Sequence, residues 1–431
     1  MEYSNEELIR KREHNQTLYK FYKMFSWDLL FYYAISFLFL HETKGLSTSQ
    51  IIFADAFYPL FTIILQLPCT ILVEKFGKKK SLILGNLSLS MYILIVILLN
   101  STNMYIFSNI FYALAFVIKG ICETNILFDS IENSDNKRKI FSKIESNGAS
   151  LYYYLEAITS VTTGFLFVFN PFLPIIISLI FTIFSVFLTF NFEEIPNENN
   201  KPKHNSLKNE FQFYISDLKQ SLIFIIQSNR LRALILFYSF FETLHYLYLT
   251  LRRSLLTELN VPNEYFGLLF ALWGIVAGFS VKSSSKINKS FANHTLEFLG
   301  LTYTISLIVS GFISTLNFLP ISLIYYVVFV MITIQFSIKG PFHTLIHRYL
   351  GSFSNSSMQT KISSANMLIE GIYCSIISFL VSFLTSKVNA IYSTLLLGIL
   401  STIILLIILK YMKTRVGLKP EEYPESDIKF N

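Results

Sequence analysis

The sequence predicts an all-α polytopic membrane protein with twelve transmembrane helices in two pseudo-symmetric six-helix bundles. Composition is the first reason: 52% of the 431 residues are hydrophobic, 15% are charged, and the mean hydropathy is +0.50. A typical soluble domain carries about 25% charged residues. Apolar runs of about 20 residues recur along the chain, each long enough to cross a hydrocarbon core about 30 Å thick. The placement of basic residues and an internal repeat are the other two reasons.

Basic residues fall mainly in the segments that this topology places in the cytoplasm. The chain has 35 Lys and Arg residues and a formal net charge of +7, and most of these cations lie in the N-terminal segment, alternate loops and the C-terminal tail. This is the positive-inside pattern, and it suits contact with anionic lipid. It favours the lipid bilayer over nucleic acid as a partner. It also predicts a multi-pass plasma-membrane protein with both termini in the cytoplasm.

The predicted topology divides the chain into five parts. They are a cytoplasmic N-terminal segment (1–23), an N-terminal bundle (24–190), a cytoplasmic linker (191–230), a C-terminal bundle (231–411) and a cytoplasmic tail (412–431). The spans are predicted at about 24–42, 49–72, 81–99, 103–128, 147–169, 171–190, 231–251, 264–281, 296–316, 320–345, 364–385 and 389–410.

The linker contains an amphipathic pattern. Leu207, Phe211, Ile215, Leu218 and Leu222 recur near helical spacing, with polar residues between them. This pattern predicts a helix that lies on the inner leaflet of the membrane.

The two halves of the chain resemble one another. The stretch Phe116–Gly120 (FVIKG) recurs in the second half as Phe336–Gly340 (FSIKG), and Lys143–Ser146 (KIES) recurs there as Lys361–Ser364 (KISS). The two recurrences have nearly the same separation in sequence, which indicates an internal duplication. Repeated halves place a substrate site at their interface near the middle of the membrane.

Ionisable residues inside the spans are candidates for a substrate and proton pathway, because each costs several kcal/mol unless it is paired or hydrated. Lys119 and Glu123 are four residues apart on one helical face, and mutual neutralisation in a structural pair is the alternative for them. Asp28 lies near a span end, where a solvated role is the alternative. The predicted pathway residues are Asp28, Lys119, Glu123, Glu156, Glu242, His245, Lys339, His343 and Glu370.

These residues suit coupling to a proton gradient. A carboxylate in a partly dry site has a raised pKa, and a nearby lysine lowers it again, so Glu123 beside Lys119, or Glu156, is the predicted proton carrier. Histidine changes charge near neutral pH, and His245 and His343 are predicted to relay protons. We expect no cofactor and no metal, since the cysteines lack ligand-like spacing. The predicted energy source is an ion gradient, with protons as the ion.

The hydrophilic turn Thr70–Lys80 (TILVEKFGKKK) separates two apolar runs. It resembles the signature loop between helices 2 and 3 of the major facilitator superfamily. Gly77 and Lys78 match the family pattern, whereas Glu74 and Lys75 stand where the family has aspartate and arginine. The first glycine of the pattern is replaced by threonine.

The resemblance implies the fold of this superfamily, a monomer, and a gating role for Glu74, Lys75, Gly77 and Lys78, with Asp129 as a partner. Two further stretches, at the end of span four and at Asn229–Arg232, resemble bacterial exporter-type members. The glycine-rich, proline-containing motif that many drug/proton antiporters carry in span five is absent from the corresponding span here.

The predicted function is secondary active transport by alternating access, in which a small organic or amphipathic compound is exported in exchange for protons. The alternative within transport is uptake of a polar or anionic nutrient such as a sugar, an amino acid or a peptide, which Lys119 and Lys339 would favour if both face a cavity. A membrane-embedded enzyme or sensor is the remote alternative. The sequence has no H-E-x-x-H, G-x-S-x-G or Walker motif, so it predicts that the protein is not an enzyme.

Overall fold

The computed structural model of the chain describes residues 5–132, 136–195, 207–291, 294–352 and 356–413. Part of the predicted linker (196–206) and the predicted tail from residue 414 lie outside the described residues. Within these ranges the chain is helical and contains no strand, which confirms the all-α prediction. The longer helices are α1 Asn5–Ser26, α2 Thr48–Asp55, α3 Phe57–Phe76, α4 Lys78–Leu98, α5 Thr102–Asp129, α6 Lys137–Phe169, α7 Leu173–Phe190, α8 Leu207–Gln227, α9 Asn229–Glu258, α10 Asn263–Phe291, α11 Thr295–Ser314, α12 Ile321–Ser352, α13 Ser356–Thr385 and α14 Ala390–Lys413.

Nine segments within the described ranges are long and apolar enough to cross a membrane. They comprise α2 with α3, then α4, α5, α7, α9, α11, much of α12 and α13, and α14. Helices α6 and α10, with 33 and 29 residues, match the length of a span but are more polar. The first predicted span is interrupted. The helix pattern is therefore consistent with the twelve predicted spans.

The interruption in the first span follows α1. After Ser26 the chain leaves the α-helix, forms a 3-10 turn at Tyr33–Ile35 and continues as a π-helical segment at Phe39–Thr43. Phe31 has a positive φ of 66°, a conformation that is costly for a bulky side chain. No glycine or proline lies in the predicted span to indicate this break.

The first of two compact units contains α1, α3 to α7 and the start of α10, up to Ala271. Its core is formed by apolar side chains from several helices, among them Tyr22, Cys69, Leu82 and Cys122. Helix α1 begins inside the segment predicted as a cytoplasmic N-terminus. Two of its tyrosines are fully buried in this core, so the helix is an integral part of the unit.

The second unit contains α2, α9, the rest of α10 and α11 to α14, together with most of α8. Aliphatic and aromatic side chains together form its core, in which the rings of Phe241 and Phe342 stack with centroids 3.7 Å apart. In α8, Leu218 and Leu222 pack against this core. The helix expected in the linker is therefore present, and its position on the inner leaflet stays a prediction.

Glycines allow close helix contacts in both units. In the first unit, a Cβ atom added to Gly267 of α10 would lie 1.9 Å from the carbonyl oxygen of Ser160 on α6. In the second unit, Gly311 of α11 and Gly398 of α14 each approach backbone atoms of the other helix, with added Cβ atoms 2.6 and 2.7 Å away. Small residues at such contacts let membrane helices associate through van der Waals packing.

Candidate functional site

A cluster of ionisable side chains is buried among the helices of the first unit. The Nζ atom of Lys23 on α1 lies 3.0 Å from Oε2 of Glu123 on α5 and 3.4 Å from Oε1 of Glu145 on α6. The Tyr22 hydroxyl donates to Oε1 of Glu123 over 2.8 Å, and the Tyr19 hydroxyl donates to Glu145. Together with Lys119, these residues form what we call the Lys23 cluster, whose members are Tyr19, Tyr22, Lys23, Lys119, Glu123 and Glu145.

Lys119 adds a second cation to the Lys23 cluster. Its Nζ atom lies 3.7 Å from Oε1 of Glu123, one turn along α5, and donates to the carbonyl oxygen of Ser26 at the end of α1. Its side chain is only 3% exposed. The sequence predicted that Lys119 and Glu123 share a helical face, and the structure places them in contact. Asp28 lies near enough to Lys119 to interact with it electrostatically.

Hydrogen bonds extend the cluster across the unit. The side-chain amide of Asn86 on α4 donates to the Tyr22 hydroxyl over 3.1 Å and to Oγ1 of Thr189 on α7 over 2.8 Å. Five helices thus contribute to one buried polar network. Such a network stabilises a single arrangement of its helices only while every member keeps its partners.

Aromatic rings lie beside the Lys23 cluster. The Trp27 ring is 5.5 Å from the rings of Tyr152 and Tyr153 on α6, and the Lys23 ammonium lies 4.6 Å from the Trp27 ring centroid. Two predicted pathway residues, Asp28 and Glu156, interact electrostatically with both tyrosines. The structure therefore brings these two carboxylates to one aromatic group.

The second unit holds a separate cluster that joins three predicted residues. Oε1 of Glu242 on α9 lies 3.0 Å from Nε2 of His343 on α12. Glu370 on α13 interacts electrostatically with both and forms a hydrogen bond with Tyr238 of α9. We call Tyr238, Glu242, His343 and Glu370 the Glu242 cluster.

The remaining predicted residues of the second unit lie close to this cluster. His245 is buried, with Nδ1 3.2 Å from the hydroxyl of Tyr303 on α11. Lys339 and His343 both interact electrostatically with His245. Every pathway residue predicted in the C-terminal half thus contributes to one charged region of this unit.

A buried arginine in the same region is not among the residues predicted from the sequence. Arg252 is 1% exposed, and its guanidinium carbon lies 4.4 Å from the ring centroid of Phe336 and 5.3 Å from that of Tyr248. The predicted seventh span stops just before this residue, whereas α9 continues to Glu258. The spacing of Tyr248 and Arg252, one helical turn apart, is the signal that would have extended the span.

The gating residues named from the resemblance lie at the junction of α3 and α4. Gly77 has φ 85° and ψ 160°, a backbone conformation that essentially only glycine adopts. Lys78 forms an ion pair with Asp129 at the end of α5. Lys75 is exposed, with its ammonium 5.5 Å from the Phe76 ring, and Glu74 is also exposed. The contact between Lys78 and Asp129 is thus present, while its role in gating stays a prediction.

The N-terminal half of α1 is tied to two other helix ends. Asn15 donates to the carbonyl oxygen of Glu193 and accepts from its backbone N–H, both over 2.8 Å, and it donates to Oγ of Ser130 over 3.0 Å. Gln16 donates to the carbonyl oxygen of Ser130 over 2.8 Å. The sequence predicted only that this segment is cytoplasmic, and nothing in it indicated these contacts. In the described part of the chain, no three His, Cys, Asp or Glu side chains converge as metal ligands.

Several known proteins share this architecture. A family model described as Major Facilitator Superfamily matches residues 21–378. Among solved structures, the nucleoside transporter NupG superposes with a TM-score of 0.69 at 9% identity, covering 94% of this chain and 100% of that one. A D-xylose-proton symporter gives 0.65 at 10% identity, covering 95% and 98% of the two chains. A peptide transporter POT in complex with sulfate gives 0.66 at 14% identity, covering 94% and 95%. No curated protein is significantly similar in sequence.

Proposed function

The chain belongs to the Major Facilitator Superfamily, and from that premise we propose that it is a proton-driven secondary active transporter working by alternating access. It is a multi-pass membrane protein with a transporter fold.

The observation that carries the proposal is the burial of ionisable side chains within membrane-spanning helices. Glu123 and Lys119 are buried in α5, and the Glu242 carboxylate on α9 lies 3.0 Å from the His343 imidazole on α12. Ionisable groups at such depth are costly and mark ion or substrate pathways. Carboxylates and a histidine are the side chains that exchange protons with water on a transport timescale. A proton gradient is therefore the energy source that this chemistry fits best.

Export of an amphipathic organic compound is the first substrate proposal. It is supported by the aromatic group of Trp27, Tyr152 and Tyr153 with the nearby carboxylates of Asp28 and Glu156. Aromatic faces beside negative charge attract a ligand that is apolar and carries a cationic group. The transporter would then export a small organic cation in exchange for protons.

Uptake of an anionic nutrient is the second candidate, and a different observation favours it. Arg252 and Lys119 are almost fully buried, and Lys339 lies near His245 in the second unit. Buried cations of this kind suit a carboxylate or phosphate group. The same fold would then carry a polar anion inward together with protons.

The transporter is further proposed to be a monomer in the plasma membrane with both termini in the cytoplasm. Basic residues concentrated in alternate loops favour cytoplasmic termini and insertion in the plasma membrane. A single chain with two repeated units supplies both halves of an alternating-access device, which favours a monomer. A bound cofactor is not needed for this mechanism.

Transport in proteoliposomes tests the proposal. The purified protein is reconstituted, a pH gradient is imposed in either direction, and uptake and efflux of a labelled panel of cationic amphipathic and anionic compounds are measured. We expect accumulation of at least one panel compound against its gradient, abolished by a protonophore. Cationic compounds moving opposite to protons support export, and anions moving with protons support uptake. Flux that is unchanged by the pH gradient and the protonophore contradicts proton coupling.

A further inference from the structure

The first helix ends inside the predicted first span. Helix α1 stops at Ser26, and residues 27–32, which follow it, are not helical. The last carbonyl groups of an α-helix have no partners within the helix. At the depth of a membrane span such a break is tolerated only where other parts of the protein, or a water-filled cavity, satisfy the backbone. The groups that bind the end of α1 therefore decide whether this break is stable.

Two side chains from other helices donate to carbonyl groups at the end of α1. The hydroxyl of Ser185 on α7 donates to the carbonyl oxygen of Phe25 over 3.4 Å. The ammonium group of Lys119 on α5 donates to the carbonyl oxygen of Ser26, the last residue of the helix. A hydroxyl supplies one of these partners, and a side chain that carries a positive charge at neutral pH supplies the other.

The surroundings of the Lys119 ammonium group are those of a bound cation. Besides the Ser26 carbonyl oxygen, Oε1 of Glu123 lies 3.7 Å from Nζ, and the centroid of the Phe116 ring lies 5.1 Å from it. The carboxylate of Asp28, just beyond the end of α1, interacts with Lys119 electrostatically. Carbonyl and carboxylate oxygens are the ligands that hard metal cations prefer. Where transporter helices are interrupted, the C-terminal ends of the half-helices are known to coordinate Na⁺.

The charges around Lys119 also favour a cation at this point. The C-terminal end of a helix carries a partial negative charge, and the other charged groups that act on Lys119 are Lys23, Asp28 and Glu123. Lys23 shares Glu123 and has a further carboxylate of its own, that of Glu145. Without the Lys119 ammonium group, the end of α1 would be left beside the carboxylates of Glu123 and Asp28, with Lys23 as the only remaining cation among these groups.

The second half of the chain has the equivalent lysine but lacks the break. Lys339 occupies the position of Lys119 in the repeated stretches Phe116–Gly120 and Phe336–Gly340. The helix that corresponds to the first span is α9, which runs without interruption from Asn229 to Glu258. Its carbonyl groups at the depth of the break in α1 are therefore bonded within the helix, and α9 offers Lys339 no helix end there. The pairing of a helix end with a lysine belongs to the first unit.

We propose that the ammonium group of Lys119 fills a monovalent-cation site at the end of α1, where it takes the place of a free sodium ion. The wild-type protein then needs no sodium to hold the interrupted helix. Once the lysine side chain is removed, the Ser26 carbonyl and the carboxylates of Glu123 and Asp28 should bind sodium from solution. This assignment goes beyond the proposed function and is independent of proton coupling.

Unfolding temperatures of purified protein in detergent test the proposal without any substrate. Lys119→Ala and Lys119→Ser are each measured in sodium chloride, potassium chloride and choline chloride at equal ionic strength, because choline is too large for a site vacated by a lysine side chain. Lys339→Ala is the matched control, since it removes the equivalent lysine from the unit whose first helix is unbroken. Lys119→Arg keeps a cation at the same position. Binding of radiolabelled sodium is measured on the same samples.

We expect sodium to raise the unfolding temperature of Lys119→Ala and Lys119→Ser by about 2 °C or more above the value in choline, with a smaller effect of potassium. The wild type, Lys339→Ala and Lys119→Arg should show no such difference, and only the first two variants should bind labelled sodium. A Lys119→Ala or Lys119→Ser variant that folds in sodium and not in choline gives the same support.

The proposal is overturned if sodium stabilises the wild type as much as the Lys119 variants. It is also overturned if Lys119→Ala and Lys119→Ser behave alike in sodium and choline, whether folded or unfolded in both. Either result leaves the proposed transport function untouched, because no transport is measured. Conversely, transport that does not respond to a pH gradient contradicts the proposed function and leaves the cation site at the end of α1 in place.

Discussion

The ammonium group of Lys23 lies 3.0 Å from a carboxylate oxygen of Glu123, and the two side chains are 9% and 7% exposed. Helix α1 thereby carries a buried cation that is matched by a carboxylate on α5. Removing one partner of such a pair leaves an uncompensated buried charge, which costs about 3–5 kcal/mol. Removing both partners takes one charge of each sign out of the cluster and leaves Lys119 and Glu145, which are again opposite in sign. The pair therefore predicts strongly non-additive effects on stability.

Single substitutions Lys23→Met and Glu123→Met should each destabilise the protein by a few kcal/mol, while the double variant should lose less than the sum of the two. Thermal unfolding in detergent measures the difference, with the exposed Lys75→Met as the control. Additive losses would show that the two side chains do not stabilise each other's charges.

Close packing of α10 against α6 requires that residue 267 has no side chain beyond the hydrogen atom of glycine. A Cβ atom there would overlap the carbonyl oxygen of Ser160, so Gly267→Ala forces the helices apart and should cost about 1–3 kcal/mol. Gly274 lies on the same helix with nothing within 4 Å of an added Cβ. Gly274→Ala should be neutral or stabilising, since alanine is the better helix former by up to about 1 kcal/mol. Unfolding temperatures of the two variants check the contrast, and equal temperatures would contradict the contact.

The ion pair of Lys78 with Asp129 predicts a modest effect on transport. Both side chains are partly exposed, and such pairs contribute at most about 1 kcal/mol, or about fivefold in a rate. Lys78→Ala and Asp129→Ala should therefore change flux by similar factors, and the double variant should be no worse than either. Lys80→Ala, at an exposed position on the same helix, is the control in the same proteoliposome assay. A large effect of Lys80→Ala on flux would show that the total positive charge of this segment matters, and not the specific pair of Lys78 with Asp129.

Glu258 at the end of α9 caps another helix. Its carboxylate accepts hydrogen bonds from the backbone N–H groups of Ala390 and Ile391, at 2.7 and 3.2 Å, at the start of α14. Negative charge at a helix N-terminus is stabilising, and loss of a capping acceptor costs about 0.5–2 kcal/mol. Glu258→Ala should lower the unfolding temperature, and Glu258→Gln should lower it less because an acceptor oxygen remains. The exposed Glu132→Ala serves as the control, and an Ala variant as stable as the wild type would rule out the cap.

The helical membrane fold was predictable because it depends on composition and on lengths that a sequence displays directly. Apolar runs and charged loops gave the spans, and short repeated stretches such as Phe116–Gly120 revealed the duplication. The pairing of Lys119 with Glu123 was also predictable, since both lie on one helix at fixed spacing. Contacts between distant helices were not, because no local pattern indicates that Lys23 meets Glu145 or that Glu242 meets His343.

The sequence by itself determined that this is a helical membrane protein of duplicated halves and identified several of the ionisable residues in its spans. Only the tertiary structure decided that Lys23 belongs to the buried charges, that Arg252 is covered by aromatic rings, and that α1 breaks before its span is complete. The physical reason is that hydrophobicity and helical period act along the chain, whereas charge neutralisation acts through space. It is set by which helices pack together.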